Sequence, residues 1–130
     1  MISPPPGFVL LESSPFVALV GPIHVNDDGV LGVHVREEHR NTLGTVHGGF
    51  LMTLADISAG RTARHAIGEG AVVRTVSSTV DFLSPAAVGS WLEAETTVDR
   101  VGRRAVFTSC RVTSAGTTVA RASFVLLRSQ

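Results

Sequence analysis

The chain has 130 residues, of which 44% are apolar and only 17% charged. A typical globular domain carries about 25% charged residues, so this balance excludes disorder and fits one domain with apolar surface left to bury against other copies. Eleven acidic residues offset eleven basic ones, every one an Arg, which excludes a basic footprint for nucleic acid or anionic membrane and any Schiff-base or P-loop lysine.

In chain order, the first 15 residues read as a leader: they open on Pro4-Pro5-Pro6 and hold no Lys or Arg. Without a cationic start, no signal peptide is expected, and no apolar run approaches the roughly 20 residues that span a bilayer. A cytoplasmic chain is the expectation. Residues 16–130 form the expected domain. Phe8 to Leu11 reads as a short turn or strand, and Phe16 to Val20 as a short strand stopped by Gly21-Pro22. Asn26-Asp27-Asp28-Gly29 is hairpin chemistry, because these residues tolerate the positive φ such turns need. Val30 to Arg36 then runs as a strand.

From Gly48 to about Ala66 the period changes. Leu51, Leu54, Ala55 and Ser58 recur at helical spacing, and apolar residues on the other faces point to a buried helix. Arg61, Arg64 and His65 gather at its far end, where cations suit the helix dipole. Four strand-like runs follow, Val72–Leu83, Ser90–Asp99, Arg103–Thr113 and Thr117–Leu127, with a turn signal in each of the three breaks between them. One long helix against so many strands implies an α+β fold, with the last four strands in an antiparallel meander.

The chemistry concentrates around that helix. His47-Gly48-Gly49 stands at its start, where unpaired N–H groups and the positive dipole end await a carbonyl oxygen. Asp56 lies mid-helix among apolar neighbours, a poor position for Asp unless it has a partner or serves as general base or nucleophile. Eight residues separate Gly48 from Asp56, about 12 Å along a helix. Both must lie within roughly 3 Å of one reacting group to act together, so a shared site needs two chains.

The set Asn41, Gly44, His47-Gly48-Gly49, Leu54-Ala55-Asp56, Asp81-Phe82-Leu83-Ser84-Pro85-Ala86 and Gly102-Arg103-Arg104 resembles the hotdog-fold acyl-CoA thioesterases of the PaaI/THEM type over about residues 16–128. The resemblance implies a hotdog fold, an antiparallel sheet wrapped around one long central helix. It also implies dimers, or tetramers of two dimers, with active sites at the dimer interface and no cofactor beyond the CoA of the substrate. Asp56 would be the catalytic carboxylate and the Gly48 N–H the carbonyl donor, while Asn41 would hold the carbonyl or the water. Thr75 stands where related enzymes carry a water-positioning Ser or Thr; it is expected on the same strand face as Ser77 and Thr79. His47, counted with this catalytic set, reads chiefly as a helix-start residue bonded to backbone.

The acyl group would meet Gly49, Phe50 and Phe82, and Arg64, Arg103 and Arg104 are candidates for the CoA phosphates. No metal is expected: the single cysteine, Cys110, and the scattered histidines lack ligand spacing. The expected function is hydrolysis of an aryl- or medium-chain acyl-CoA. The alternatives are an acyl-thioester hydratase or dehydratase, and a non-catalytic acyl-CoA binding module.

Overall fold

A computed structural model describes residues 2–129. Seven strands form one antiparallel sheet, and one twenty-residue helix packs on it. The elements are β1 (Val9–Leu10), α1 (Pro15–Val20), β2 (His24–Val25), β3 (Leu31–His34), α2 (Gly48–Ile67), β4 (Val73–Phe82), β5 (Trp91–Val101), β6 (Ala105–Ser114) and β7 (Thr117–Arg128). This is the α+β hotdog arrangement that the resemblance implies.

The strand order is β1-β2-β3-β5-β6-β7-β4. Of the last four strands only β5-β6-β7 form a meander. β4 does not pair with its successor β5 but lies beyond β7, at the sheet's open edge, which corrects the expected four-strand meander. The chain leaves β4 and crosses to β5 beside β3, and α2 packs against β4, β5, β6 and β7.

Two local readings also change. Phe16 to Val20 belongs to a helix, not a strand: the Ser14 side chain caps it by accepting the Val17 N–H at 3.2 Å, and Pro15 occupies its first turn. A five-residue apolar run carries no period, whereas Ser-Pro at a helix start is physically favoured. The leader is also partly docked. Val9 and Leu10 pair with β2, and Leu11 is buried. The Asn26 turn is as expected, its side-chain oxygen accepting the N–H groups of Asp28 and Val30.

The core lies between α2 and the inner sheet face. Leu51, Leu54, Ala55, Ser58 and Ala59 form the buried stripe of the helix, and Leu31, Val33, Leu92, Ala94, Val112 and Leu126 answer from the strands. Each fully buried Leu contributes about 1.5–3 kcal/mol. The stripe covers one side only; Met52 is exposed and Asp56 half-buried, so the helix is less enclosed than its composition implies. A polar pair sits inside this layer, Ser58 and Thr96 sharing a hydroxyl hydrogen bond of 2.7 Å. Cys110 is buried beside it, and burial pushes its thiol pKa up.

Candidate active site

The start of α2 is built so that one donor is left over. His47 is the N-cap, and its Nδ1 accepts the Gly49 N–H at 2.8 Å. The N–H groups of Phe50 and Leu51 donate to the His47 carbonyl. The Leu51 bond is the first regular helical one; of the four orphan donors of the helix start, those of Gly49 and Phe50 are met here and that of His47 by the His39 carbonyl. The Gly48 N–H makes no hydrogen bond among the described residues. Gly48 lines a groove of about 310 Å³ together with Asn41, Leu51, Phe82, Leu83 and Pro85. A Cβ on residue 48 would lie 3.2 Å from the Phe82 ring, so the ring sits directly against the glycine.

Upstream residues hold this start in place. The His47 N–H donates to the His39 carbonyl at 2.7 Å. The His39 ring stacks on Phe50 at 3.9 Å, its Nε2 donates to the Val20 carbonyl, and its Nδ1 accepts the Arg36 N–H. Burial above all holds the His39 pKa below the usual histidine value; nearby Arg36 adds to this, and the Val20 bond and Glu38 oppose it. Nothing in the linear sequence marked this histidine, because its partners come from three separate elements. Asn41 organises its own turn: Oδ1 accepts from the Leu43 and Thr45 N–H groups, and Nδ2 donates to Thr45 Oγ1. Gly44 completes that turn at φ +86°, a conformation L side chains rarely adopt.

Two helical turns further on, the Thr75 hydroxyl donates to Asp56 Oδ1 at 2.7 Å. The pairing needs an irregularity in β4. Thr75 pairs with Leu126 but Ser77 pairs with Val125, so Val76 is an extra, bulged residue. Leu126 faces the buried side, whereas Val125 and Ser123 face outward. Thr75 therefore points toward the helix while Ser77 and Thr79 take the opposite face. Strict alternation put all three on one face; the bulge reverses the parity at Thr75.

Within one chain the groove at Gly48 and the Asp56–Thr75 pair stay apart, about 12 Å along the helix. The structure brings Asn41, Gly48 and Phe82 together, and separately Asp56 and Thr75. Phe50 joins neither set: it is buried against His39 and faces the core instead of the groove. The Gly49 N–H is engaged by His47, so it is not a second open donor.

Arg64 is exposed near the C-terminal end of α2, and Arg103 and Arg104 are exposed in the β5–β6 turn. Arg74 and Arg128 lie at that same end of the sheet, where Ala105 pairs with Leu127 and Val73 with Arg128. Only the register reveals this gathering. Among the described residues no three His, Cys, Asp or Glu side chains group as a metal site, and no helix is long and apolar enough to cross a membrane.

Comparison with known proteins adds to this geometry. The family model described as the thioesterase superfamily matches residues 43–121. "Putative esterase PA0474" of Pseudomonas aeruginosa is 39% identical over 96% of this chain and 97% of its own length. Human acyl-coenzyme A thioesterase 13 is 34% identical over 64% of this chain, a match that spans 59% of that protein. Among solved structures, a variant of the phenylacetic acid degradation protein PaaI from Thermus thermophilus superposes with a TM-score of 0.76 at 29% identity, covering 89% of this chain and 100% of that one.

Proposed function

The chain belongs to the thioesterase superfamily and is a thioester hydrolase; from that premise we propose that it is a cytoplasmic, homo-oligomeric acyl-CoA thioesterase acting on an aryl- or medium-chain acyl group. The observation that carries the proposal is the single open donor at Gly48, matched by a carboxylate on the same helix too distant to share its site. A second copy resolves the mismatch. β4 offers ten residues of unpaired sheet edge along which that copy would dock.

In this reading the Gly48 N–H polarises the thioester carbonyl, with Asn41 lining the same groove. Asp56 of the partner subunit, oriented by that subunit's Thr75, attacks the carbonyl carbon or removes a proton from the attacking water. In the water route, oxygen bonds to the carbonyl carbon and negative charge gathers on the carbonyl oxygen at Gly48. The charge then returns as the C–S bond breaks, and CoA leaves as thiolate. The proton held by Asp56 passes to the sulfur, giving the free acid and CoA thiol. A thiolate leaves readily, so no strong general acid is required.

Phe82, Gly49 and the adjoining groove receive the acyl group, and Arg64, Arg103 and Arg104 serve the CoA phosphates, joined by Arg74 and Arg128. His47 acts as the helix cap that reserves Gly48 for substrate. A hydratase needs a basic His, and here the His47 Nδ1 lone pair is engaged by Gly49.

The test is complementation. Pro is tolerated at the first helical position and lacks the N–H, so Gly48→Pro removes the proposed donor without breaking the helix. The exposed Phe82 ring would have to swing aside. Gly48→Pro and Asp56→Ala should each lose most free-thiol release from acyl-CoAs, on the order of 100-fold or more. Mixed, they should regain activity through one intact site per heterodimer. Near wild-type turnover by Asp56→Ala, or no recovery in verified heterodimers, defeats the reading.

A further inference from the structure

His39 and the Cys110 thiol are the two ionisable side chains buried among the described residues, and the reaction proposed above uses neither. Both nitrogens of the His39 ring go to backbone groups. The Arg36 N–H can only donate to Nδ1, at 2.9 Å, and the Val20 carbonyl can only accept from Nε2, at 2.6 Å. The ring is therefore neutral, with a lone pair on Nδ1 and its proton on Nε2. Burial, the main cause of its lowered pKa, favours the same form. A leucine would fill this space with no polar atoms to satisfy, so the two bonds are what the histidine adds.

Gly48 has no side chain by which its backbone could be held, and glycine is the residue freest to turn. The direction of its N–H has to be fixed by its neighbours. His39 reaches them from both sides. Its carbonyl accepts the N–H of His47, the residue before Gly48, at 2.7 Å. Its ring stacks on Phe50, two residues after Gly48, with centroids 3.9 Å apart and planes 6° from parallel. The Nε2 bond ties this clamp to the end of α1, and the Nδ1 bond ties it to the turn that follows β3.

We propose that His39 is a positioning residue, holding the start of α2 in the orientation that the Gly48 donor needs. Buried and with both nitrogens engaged, its ring acts through His47 and Phe50 and not on the substrate. Donors to a developing oxyanion lower the barrier only when aimed at the transition state, and small misplacements are costly. The inference rests on the reading of Gly48 as the carbonyl donor.

The test sets His39→Leu, which fills the space but makes neither bond, against His39→Gln, whose amide offers both an acceptor and a donor. Near neutral pH and well below the melting temperature, His39→Leu should lose about tenfold in kcat for acyl-CoA hydrolysis, with KM within about twofold. His39→Gln should recover kcat to within about threefold of the unchanged chain. Amide exchange at His47 should rise about tenfold in His39→Leu while that at Leu54, mid-helix, stays unchanged; general loosening would raise both. Phe50→Leu removes the stack alone and should cost about threefold in kcat, with faster exchange at His47. It carries the test if His39→Leu fails to fold. Unchanged kcat in these folded variants, a loss carried by KM, equal rises in exchange at His47 and Leu54, or no recovery in His39→Gln would each overturn the proposal. Gly48→Pro separates the premise from the inference. Full turnover in that variant removes the donor reading, whereas its loss beside full turnover in His39→Leu defeats the role of His39 alone.

Discussion

The two edges of the sheet are managed in opposite ways. At one edge β1 has only two residues, with α1 and the leader gathered beside it. At the other, β4 runs for ten residues, almost all exposed, with β7 on one side and no strand on the other. Proteins blunt free edges because an unpaired row of N–H and C=O groups is a template for another chain. Here only the edge that carries Thr75 is left long and open. The contrast teaches that the long exposed edge at β4 is a requirement of the proposed two-chain site, while the β1 edge is too short to template a second chain.

The sharpest way to break the comparison is a charge in the middle of β4. Ser78→Lys would set like charges near each other in a symmetric edge-to-edge pair. Sedimentation should show loss of self-association, and thiol release should fall on the order of 100-fold with it. Full activity in a monomeric Ser78→Lys protein would separate catalysis from the edge altogether.

A smaller effect is expected within the catalytic pair. Thr75→Val keeps the shape and removes the hydrogen bond to Asp56, and kcat should drop about tenfold, equivalent to about 1.4 kcal/mol. KM should stay within about twofold, because the lost bond orients a carboxylate and does not hold substrate. Deleting Val76 should produce a similar loss by restoring alternation and turning Thr75 outward.

Acid should weaken the opposite edge. His24 and His39 are both held below the usual value of 6.5. The unfolded chain therefore takes up protons first as pH falls. Their contribution to stability is complete above about pH 6.5 and is lost as pH drops through the folded-state values. Melting curves should show Tm falling over that range, with amide exchange rising first around α1 and β1. The least effect belongs to Val9→Lys on the short edge, which should leave both association and turnover unchanged.

Much of this architecture was legible in the residues. The helix from Gly48 and the strand runs after it follow from spacing and turn chemistry, and the distance between Gly48 and Asp56 is a matter of helical rise alone. What escaped lies in pairing. β4 sits beside β7 because of tertiary packing against α2, which no local pattern encodes. α1 hid because five apolar residues show no period, although Ser14-Pro15 was its physical signature. Phe50 looked like a site residue by proximity in sequence, yet a helix turns its neighbour by about 100° per residue, and that turn sends its ring to the core. Thr75 was placed by position, but the face it occupies depends on a register jump.

That jump has a genetic consequence. Whether the Thr75 hydroxyl reaches the carboxylate is decided by how many residues separate it from Ser77, not by which one lies between them. A single codon lost or gained between Thr75 and Ser77 would turn Thr75 to the opposite face while leaving every other side chain chemically intact. Catalytic competence at this edge is thus exposed to in-frame insertions and deletions more than to many substitutions. An alignment that compares letters and treats gaps as noise would discard the information that matters there.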